Sequence, residues 1–503
     1  MKLRHAAMML PAALALMPTP PTAAPAPSCD ALAKTSFPNA TIDKVAAVPA
    51  GDFTLPANGE SRAQTFRNLP AFCRIAATLK PTSDSDIKIE VWLPATNWNG
   101  KFQAVGNGGW AGVISYGALA EALRHGYATS STDTGHRGAN GKFVPGHPEK
   151  LTDFGWRSEH EMTVKAKAIV AAFYGNAPKL SYWNGCSTGG RQGLMEATRF
   201  PNDFDGIIAG DPANPRARNN AWQMTLQQKI HSDKASYIPP EKYPAIHQAA
   251  VKTCDALDGV KDGLIDNPKV CHFDPQVLAC KQGEDSKSCL TPPQVELARK
   301  ILSPGKYSTG KEFWPGFEPG SELGWGVHAG PEPSDLQLDH FKYVVFKDPN
   351  WDFMKFNPDT DIPKAQKAGD MVDVTKTDLS AFLGHGKLIF YHGWADPQVS
   401  PGATIEYFNE VQKATEKASE STRLFMAPGM GHCRGGEGPD TFDMVSALDS
   451  WVEKGQAPRE VLASHATNGV VDRTRPLCAY PQVAKYKGTG SIDEASNFVC
   501  TAP

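Results

Sequence analysis

Leu180-Ser181-Tyr182-Trp183-Asn184-Gly185-Cys186-Ser187-Thr188-Gly189 is the stretch whose reading decides the fold. Its first five residues predict a short strand, which runs straight into a Gly-x-Ser-x-Gly pentapeptide ending at Gly189. That pattern sets a serine on the sharp strand-to-helix turn of an α/β-hydrolase, with its hydroxyl exposed at the edge of the sheet. By itself the pentapeptide reads equally well as an ordinary glycine turn in a chain with 45 glycines. Its surroundings have to decide.

Outward from this turn, strand and helix patterns alternate. Ile87, Ile89, Val91 and Leu93 alternate with polar or partly polar neighbours, and Lys101-Phe102-Gln103-Ala104-Val105 makes a second short strand. A helix is predicted over 118–125, a strand over 127–132, a helix over 159–174 and another over 193–200. Ile207-Ile208-Ala209-Gly210 is short and apolar, as a buried parallel strand should be. From about Pro212 to residue 376 the alternation stops, and aromatics, prolines, glycines and four cysteines are scattered instead. Strands resume at 387–392 and 423–427. Strands alternating with helices imply a mostly parallel sheet. The interruption implies a large insertion at its carboxyl edge, a lid. The predicted division is a leader over 1–24, a first core segment over 25–213, a lid over 214–376 and a second core segment over 377–503.

Serine is a poor nucleophile until a base takes its proton and a third group orients that base. In α/β-hydrolases the chain order is Ser, then Asp or Glu, then His. Asp396 follows one late predicted strand, in Gly393-Trp394-Ala395-Asp396-Pro397. His432 follows the next, in Pro428-Gly429-Met430-Gly431-His432-Cys433. Alone, Asp396 would pass for a helix cap and His432 for a loop histidine. In this order, each after a strand of one parallel sheet, Ser187, Asp396 and His432 form a candidate triad. An oxyanion needs backbone donors. Thr188 N–H is one candidate, and the glycine-rich loop after residue 105 offers Gly109, then Gly108. His392 and His136 read more readily as structural residues. Glu196 and Asp211 receive no catalytic role.

Lys2, Arg4 and His5 precede an apolar stretch and then small residues around Ala24 and Ala26, the pattern of a secretory leader. No later stretch is long and apolar enough to span a bilayer. A formal net charge of −3 makes no electrostatic case for nucleic acid or an anionic membrane. Export to a periplasm or beyond the cell turns the 10 cysteines into expected disulfides. Cys254 with Cys271, Cys280 with Cys289, and Cys478 with Cys500 are sequence neighbours. If Cys29 joins Cys73, Cys186 and Cys433 are left, each beside a candidate triad residue. Sequence does not prove this connectivity. A zinc site is the alternative, but no Cys-x2-Cys spacing supports it.

A second constellation lies in the insertion, between Asp255 and Asp266. Asp255, Asp258 and Asp262 offer carboxylates, and the carbonyls of Val260 and Leu264 complete an oxygen set suited to Ca2+. The spacing is not that of an EF-hand. A solvated acidic turn is the competing reading.

The Gly185-to-Gly193 run, Asp396 and His432-Cys433 resemble the tannase and feruloyl esterase family of secreted α/β-hydrolases. That family includes the hydrolase of mono(2-hydroxyethyl) terephthalate. The resemblance covers nearly the whole chain after the leader. It implies a disulfide between the cysteines flanking Ser187 and His432, a structural Ca2+ in the aspartate-rich loop, and a lid that selects the acyl group. The expected activity is hydrolysis of a small aromatic ester, free or attached to plant polysaccharide, through an acyl-enzyme and without a catalytic cofactor. Feruloyl and other hydroxycinnamoyl esters come first, gallate esters second, and the terephthalate monoester as a side activity. An inactive, calcium-dependent phenolic- or glycan-binding protein on the same scaffold is the rival of another class. Trp314, Trp325, Trp351 and Phe353 are candidate acyl walls or lid core, and Val399 is a candidate to face the acyl ring.

Overall fold

The strands that carry the chemistry are buried on both faces, which makes their sequences short and apolar. All five residues of Gly206–Gly210 are buried, as are all five of Lys101–Val105. A computed structural model describes residues 28–56 and 66–503, and the leader expected over 1–24 lies outside them. The central sheet has nine strands: β1 Ala40–Val48, β2 Phe72–Leu79, β3 Ile87–Pro94, β4 Lys101–Val105, β5 Ala128–Thr132, β6 Leu180–Cys186, β7 Gly206–Gly210, β8 Lys387–Gly393 and β9 Thr422–Ala427. Their spatial order is β1-β2-β3-β5-β4-β6-β7-β8-β9.

From β5 to β9 every pairing is parallel, whereas β1, β2 and β3 form an antiparallel meander joined antiparallel to β5. The sheet is therefore mixed, an α/β-hydrolase sheet with a three-stranded antiparallel wing. In the parallel half, the segments leaving β6, β7, β8 and β9 emerge at one edge. Those segments carry Ser187, Asp211, Asp396 and His432.

The helix after β6 begins at Thr188, five residues earlier than its composition predicts. Gly189, Gly190 and Gly193 are weak helix formers. They stand there because a Cβ at each would meet a close neighbour: the Asn107 carbonyl, the Gly210 carbonyl and the Trp183 ring respectively. Tertiary packing overrides propensity.

Between β7 and β8 the chain builds a helical layer with its own apolar core, including Trp222, Ile246, Leu297, Trp314, Trp325 and Phe341. Its main helices are Arg216–Ser232, Tyr243–Cys254, Pro292–Ile301 and Pro358–Ala368. Trp314 and Trp325 are fully buried in that core. Trp351 stacks on Phe341 and Phe346. After β9 come a helix, Met444–Lys454, a small three-stranded antiparallel sheet and a two-stranded one. All 10 cysteines are paired, as Cys29–Cys73, Cys186–Cys433, Cys254–Cys271, Cys280–Cys289 and Cys478–Cys500.

Candidate active site

Ser187 has φ 63° and ψ −123°, a conformation that costs a side-chain-bearing residue on the order of 1–3 kcal/mol. The surroundings hold it there. Its N–H donates to the Gly210 carbonyl (2.9 Å), and its own carbonyl accepts from Arg191 and Ala213 N–H, each at 3.1 Å. Gly106, Gly185 and Gly189 pack backbone to backbone. A Cβ on Gly185 would fall on the Gly189 carbonyl, and one on Gly106 on the Gly189 Cα. The two glycines of the pentapeptide are thus required by close approach, and a strained serine results.

Cys186 and Cys433 are disulfide-bonded with their Cα atoms 5.9 Å apart, although 247 residues separate them in sequence. The bridge brings the residues beside them, Ser187 and His432, to one place. His432 Nδ1 lies 2.7 Å from Asp396 Oδ2, and Asp396 is fully buried. Asp396 Oδ1 accepts from Gln398 N–H (2.7 Å) and Val399 N–H (3.0 Å). Burial opposes the charged form of both groups. For His432 the charge of Asp396 and the hydrogen bond to it win, with a smaller push from Asp211, and the imidazole is held above the ordinary histidine range. For Asp396 the charge of His432 and hydrogen bonds from His392 and His432 hold the carboxyl below the usual carboxylate range. Ser187 Oγ makes no direct hydrogen bond to His432 in this structure, so their proximity rests on the bridge. Such contacts often tighten only with substrate bound.

Thr188 N–H stands at the first position of its helix, where no intrahelical acceptor exists. Opposite it, Gly109 adopts φ +56°, and its carbonyl accepts from Thr188 Oγ1 (2.9 Å) and Arg216 Nη1 (3.4 Å). These contacts fix the 109–110 peptide beside the Ser187 turn. His136 is structural: it lies 2.7 Å from the Trp110 carbonyl through Nε2 and stacks on Phe143. Val399 is buried in the core of the helical layer, and its backbone serves Asp396 and His392.

Residues absent from the sequence reading complete the site. Arg216, Asn219, Asn220, Gln223 and Gln227 fall on one face of the helix Arg216–Ser232, and all are buried. This face starts at Arg216, which shares the Gly109 carbonyl with Thr188. Asn219 Nδ2 donates to the Gln398 carbonyl (3.3 Å), as does His328 Nε2 (2.9 Å), two residues past Asp396. Among the described residues, Arg216 Nε and Nη2, Asn220 Nδ2, Gln223 Oε1, Gln227 Oε1, His328 Nδ1 and both ring nitrogens of His340 have no protein partner. The only available sequence signal was the polar spacing itself, which reads as a solvated helix face until burial is known.

A cavity of about 460 Å³ opens on the other side of His432, lined by Trp394, Gln398, Leu264, Ile265 and His247 among others. His247 joins the helical layer to the His432 loop, with Nδ1 3.0 Å from the buried Glu322 and Nε2 2.6 Å from Glu437. Burial works against a charged His247, but the two carboxylates outweigh it and raise the ring to about 9.

The aspartate-rich loop lies just beyond, closed by Cys254–Cys271. Asp255 Oδ1 accepts from Asp262 and Gly263 N–H, Asp258 Oδ1 from Val260 N–H, and Asp262 Oδ1 from Leu264 N–H. One oxygen of each carboxylate thus shapes the loop. Asp262 Oδ2 pairs with Arg475. Asp266 is half-buried beside Asp258 and Asp262, and desolvation followed by the charge of Asp258 raises it to about 7. Crowded carboxylates of this kind fit a divalent cation, which would relieve their repulsion. Among the described residues, groups of three side-chain donors within 4.8 Å of one another occur elsewhere and not in this loop.

Comparison with known proteins identifies the family. The family model described as tannase and feruloyl esterase matches residues 73–501. An uncharacterized esterase of Xanthomonas campestris pv. campestris is 38% identical, covering 95% of this chain and 92% of its own. A probable feruloyl esterase B-2 of Aspergillus oryzae is 34% identical, covering 93% and 94%. The crystal structure of feruloyl esterase B from Aspergillus oryzae superposes with a TM-score of 0.88 at 31% identity, covering 94% of this chain and 99% of that one.

Proposed function

The chain belongs to the tannase and feruloyl esterase family of esterases, and from that premise we propose that it cleaves esters of hydroxylated aromatic acids through an acyl-enzyme on Ser187. Hydroxycinnamoyl esters such as ferulates rank first, gallate esters second and the terephthalate monoester third. The observation that carries the reading is the cross-link of a strained Ser187 to the loop of an Asp396-bonded His432.

In the first half-reaction Ser187 Oγ attacks the ester carbonyl while His432 Nε2 takes its proton. Asp396 holds Nδ1–H and stabilises the imidazolium. The tetrahedral oxyanion is met by Thr188 N–H and by N–H of Gly109 or Gly108. His432 then returns the proton to the departing alkoxide, and water repeats the sequence to release the acid. The buried polar face from Arg216 to Gln227 supports a hydroxylated acyl ring, because its partnerless atoms include both donors and acceptors. A phenolic hydroxyl both donates and accepts. Asp255, Asp258 and Asp262, with the Val260 and Leu264 carbonyls, would hold Ca2+ as a structural ion. We place the protein outside the cytoplasm, a reading supported by its five disulfides.

Initial rates on methyl ferulate, methyl gallate and mono(2-hydroxyethyl) terephthalate, with Ser187→Ala as control, test this reading. A preference abolished by the substitution supports it. Full activity in Ser187→Ala, or no fluorophosphonate labelling of the wild type, would overturn it.

A further inference from the structure

The triad has a second carboxylate against it. Asp211 leaves β7 at the same sheet edge as Asp396 leaves β8, and both are 0% exposed. Asp211 has φ +35°, unusual for a residue with a side chain. The turn is fixed by its N–H, which donates to the Tyr391 carbonyl (2.9 Å), and by Oδ1, which accepts from Gly393 N–H (3.0 Å). Asp211 Oδ2 lies 3.4 Å from Cys186 Sγ, against the bridge itself. Asp211, Asp396 and His432 each present an atom within 4.8 Å of the other two. Two buried carboxylates this close repel, and both attract a proton to His432. An imidazole that keeps its proton is no general base.

His392 answers this. It is 0% exposed, and its Nε2 lies 3.1 Å from Asp396 Oδ2, 3.1 Å from the Val399 carbonyl and 3.6 Å from Asp211 Oδ1. All three are acceptors, so Nε2 carries a hydrogen. Nδ1 faces Thr404 Oγ1 at 2.8 Å, a hydroxyl able to accept from a protonated ring.

We propose that Asp211 and His392 are positioning residues that act as an ion pair behind the triad: His392, as imidazolium, offsets one of the two carboxylates so that His432 stays free to accept the serine proton. Burial disfavours a charged His392, but Asp211 first and Asp396 next outweigh it and raise its affinity for a proton. The other charged or titratable groups facing His432 are few. Asp396 comes from the segment after β8 and His328 from the helical layer, while Arg434, Glu437 and Glu437-bound His247 line the same cavity. Apart from Asp396 itself, none of these is bonded to both Asp211 and Asp396 as His392 is.

The inference rests on the triad proposed above, and the test separates the two. The acid limb of kcat/KM on methyl ferulate is measured for wild type, His392→Asn, Asp211→Asn and the double variant, beside Ser187→Ala. His392→Asn keeps a donor to Asp396 but loses the charge, so the limb should rise by about one pH unit, a tenfold loss below it. Asp211→Asn should move it down, and the double variant should lie between them. A fall in kcat/KM at every pH with the limb unmoved would overturn the ion pair and leave the triad standing. Activity surviving in Ser187→Ala would overturn the triad and the pair with it. Should a variant fail to fold, 15N NMR of wild-type imidazoles decides: His392 protonated at both nitrogens near neutral pH supports the pair, and a neutral ring excludes it.

Discussion

Cys186 and Cys433 stand 5.9 Å apart at Cα, each chain-adjacent to one member of the proposed proton-transfer pair, Ser187 and His432. The disulfide therefore couples the nucleophile's strained turn to the loop of its base. The loop closed in the unfolded chain is long, so the bridge should also contribute on the order of 2–4 kcal/mol to stability.

Replacing both cysteines, Cys186→Ala with Cys433→Ala, should lower kcat at least tenfold when assayed well below the variant's own Tm. Its cost to activity should exceed that of Cys280→Ala with Cys289→Ala, a bridge remote from the site. Equal losses for the two variants would make the Cys186–Cys433 bridge a stability element alone.

The latch between helical layer and core should be sensitive to pH. His247 is raised to about 9 in the folded state from 6.5. A raised histidine contributes stability that is fully present below its unfolded value and is lost as pH climbs through the folded one. The Tm difference between wild type and His247→Gln should be largest below pH 6.5 and shrink as pH approaches about 9. A constant difference across that window would show that the contact holds without a charge.

Acyl selectivity should follow the buried polar helix face. A site built to bond a hydroxyl rejects the analogue lacking it far more strongly than an apolar pocket rejects an extra methylene. Gln223→Leu should cut the ratio of kcat/KM for methyl 4-hydroxycinnamate over methyl cinnamate by about tenfold, mostly through the hydroxylated ester. An unchanged ratio would place the ring elsewhere.

Exhaustive chelation should lower Tm and leave the chemical step nearly intact, because the aspartate-rich loop lies outside the triad. Asp258→Asn should reproduce the drop in Tm and abolish any further effect of the chelator. A melting curve indifferent to both would remove the ion.

Much of the site was legible because its signals are local. Gly185, Ser187 and Gly189 specify a strand-to-helix turn, and Asp396 and His432 follow apolar strands too short and uniform to be anything but buried. The paired cysteines sat beside the residues they brace. The antiparallel wing was less legible: β1 has no fully buried residue and no clean alternation, and β2 has none because seven of its eight residues are buried. The helix at Thr188 was read late because three glycines in it are there for close packing.

Residue order along the chain pointed to the fold class and to the candidate triad in its order, since each depends on spacing or on the end of one strand; that Cys186 pairs with Cys433 was an expectation that only the structure settled. Tertiary structure alone decided that Asp211 and His392 lie behind the triad and that the Arg216-to-Gln227 face is buried. Those assignments depend on which strands become neighbours and what covers a helix, so they exist only once segments distant in sequence have packed together.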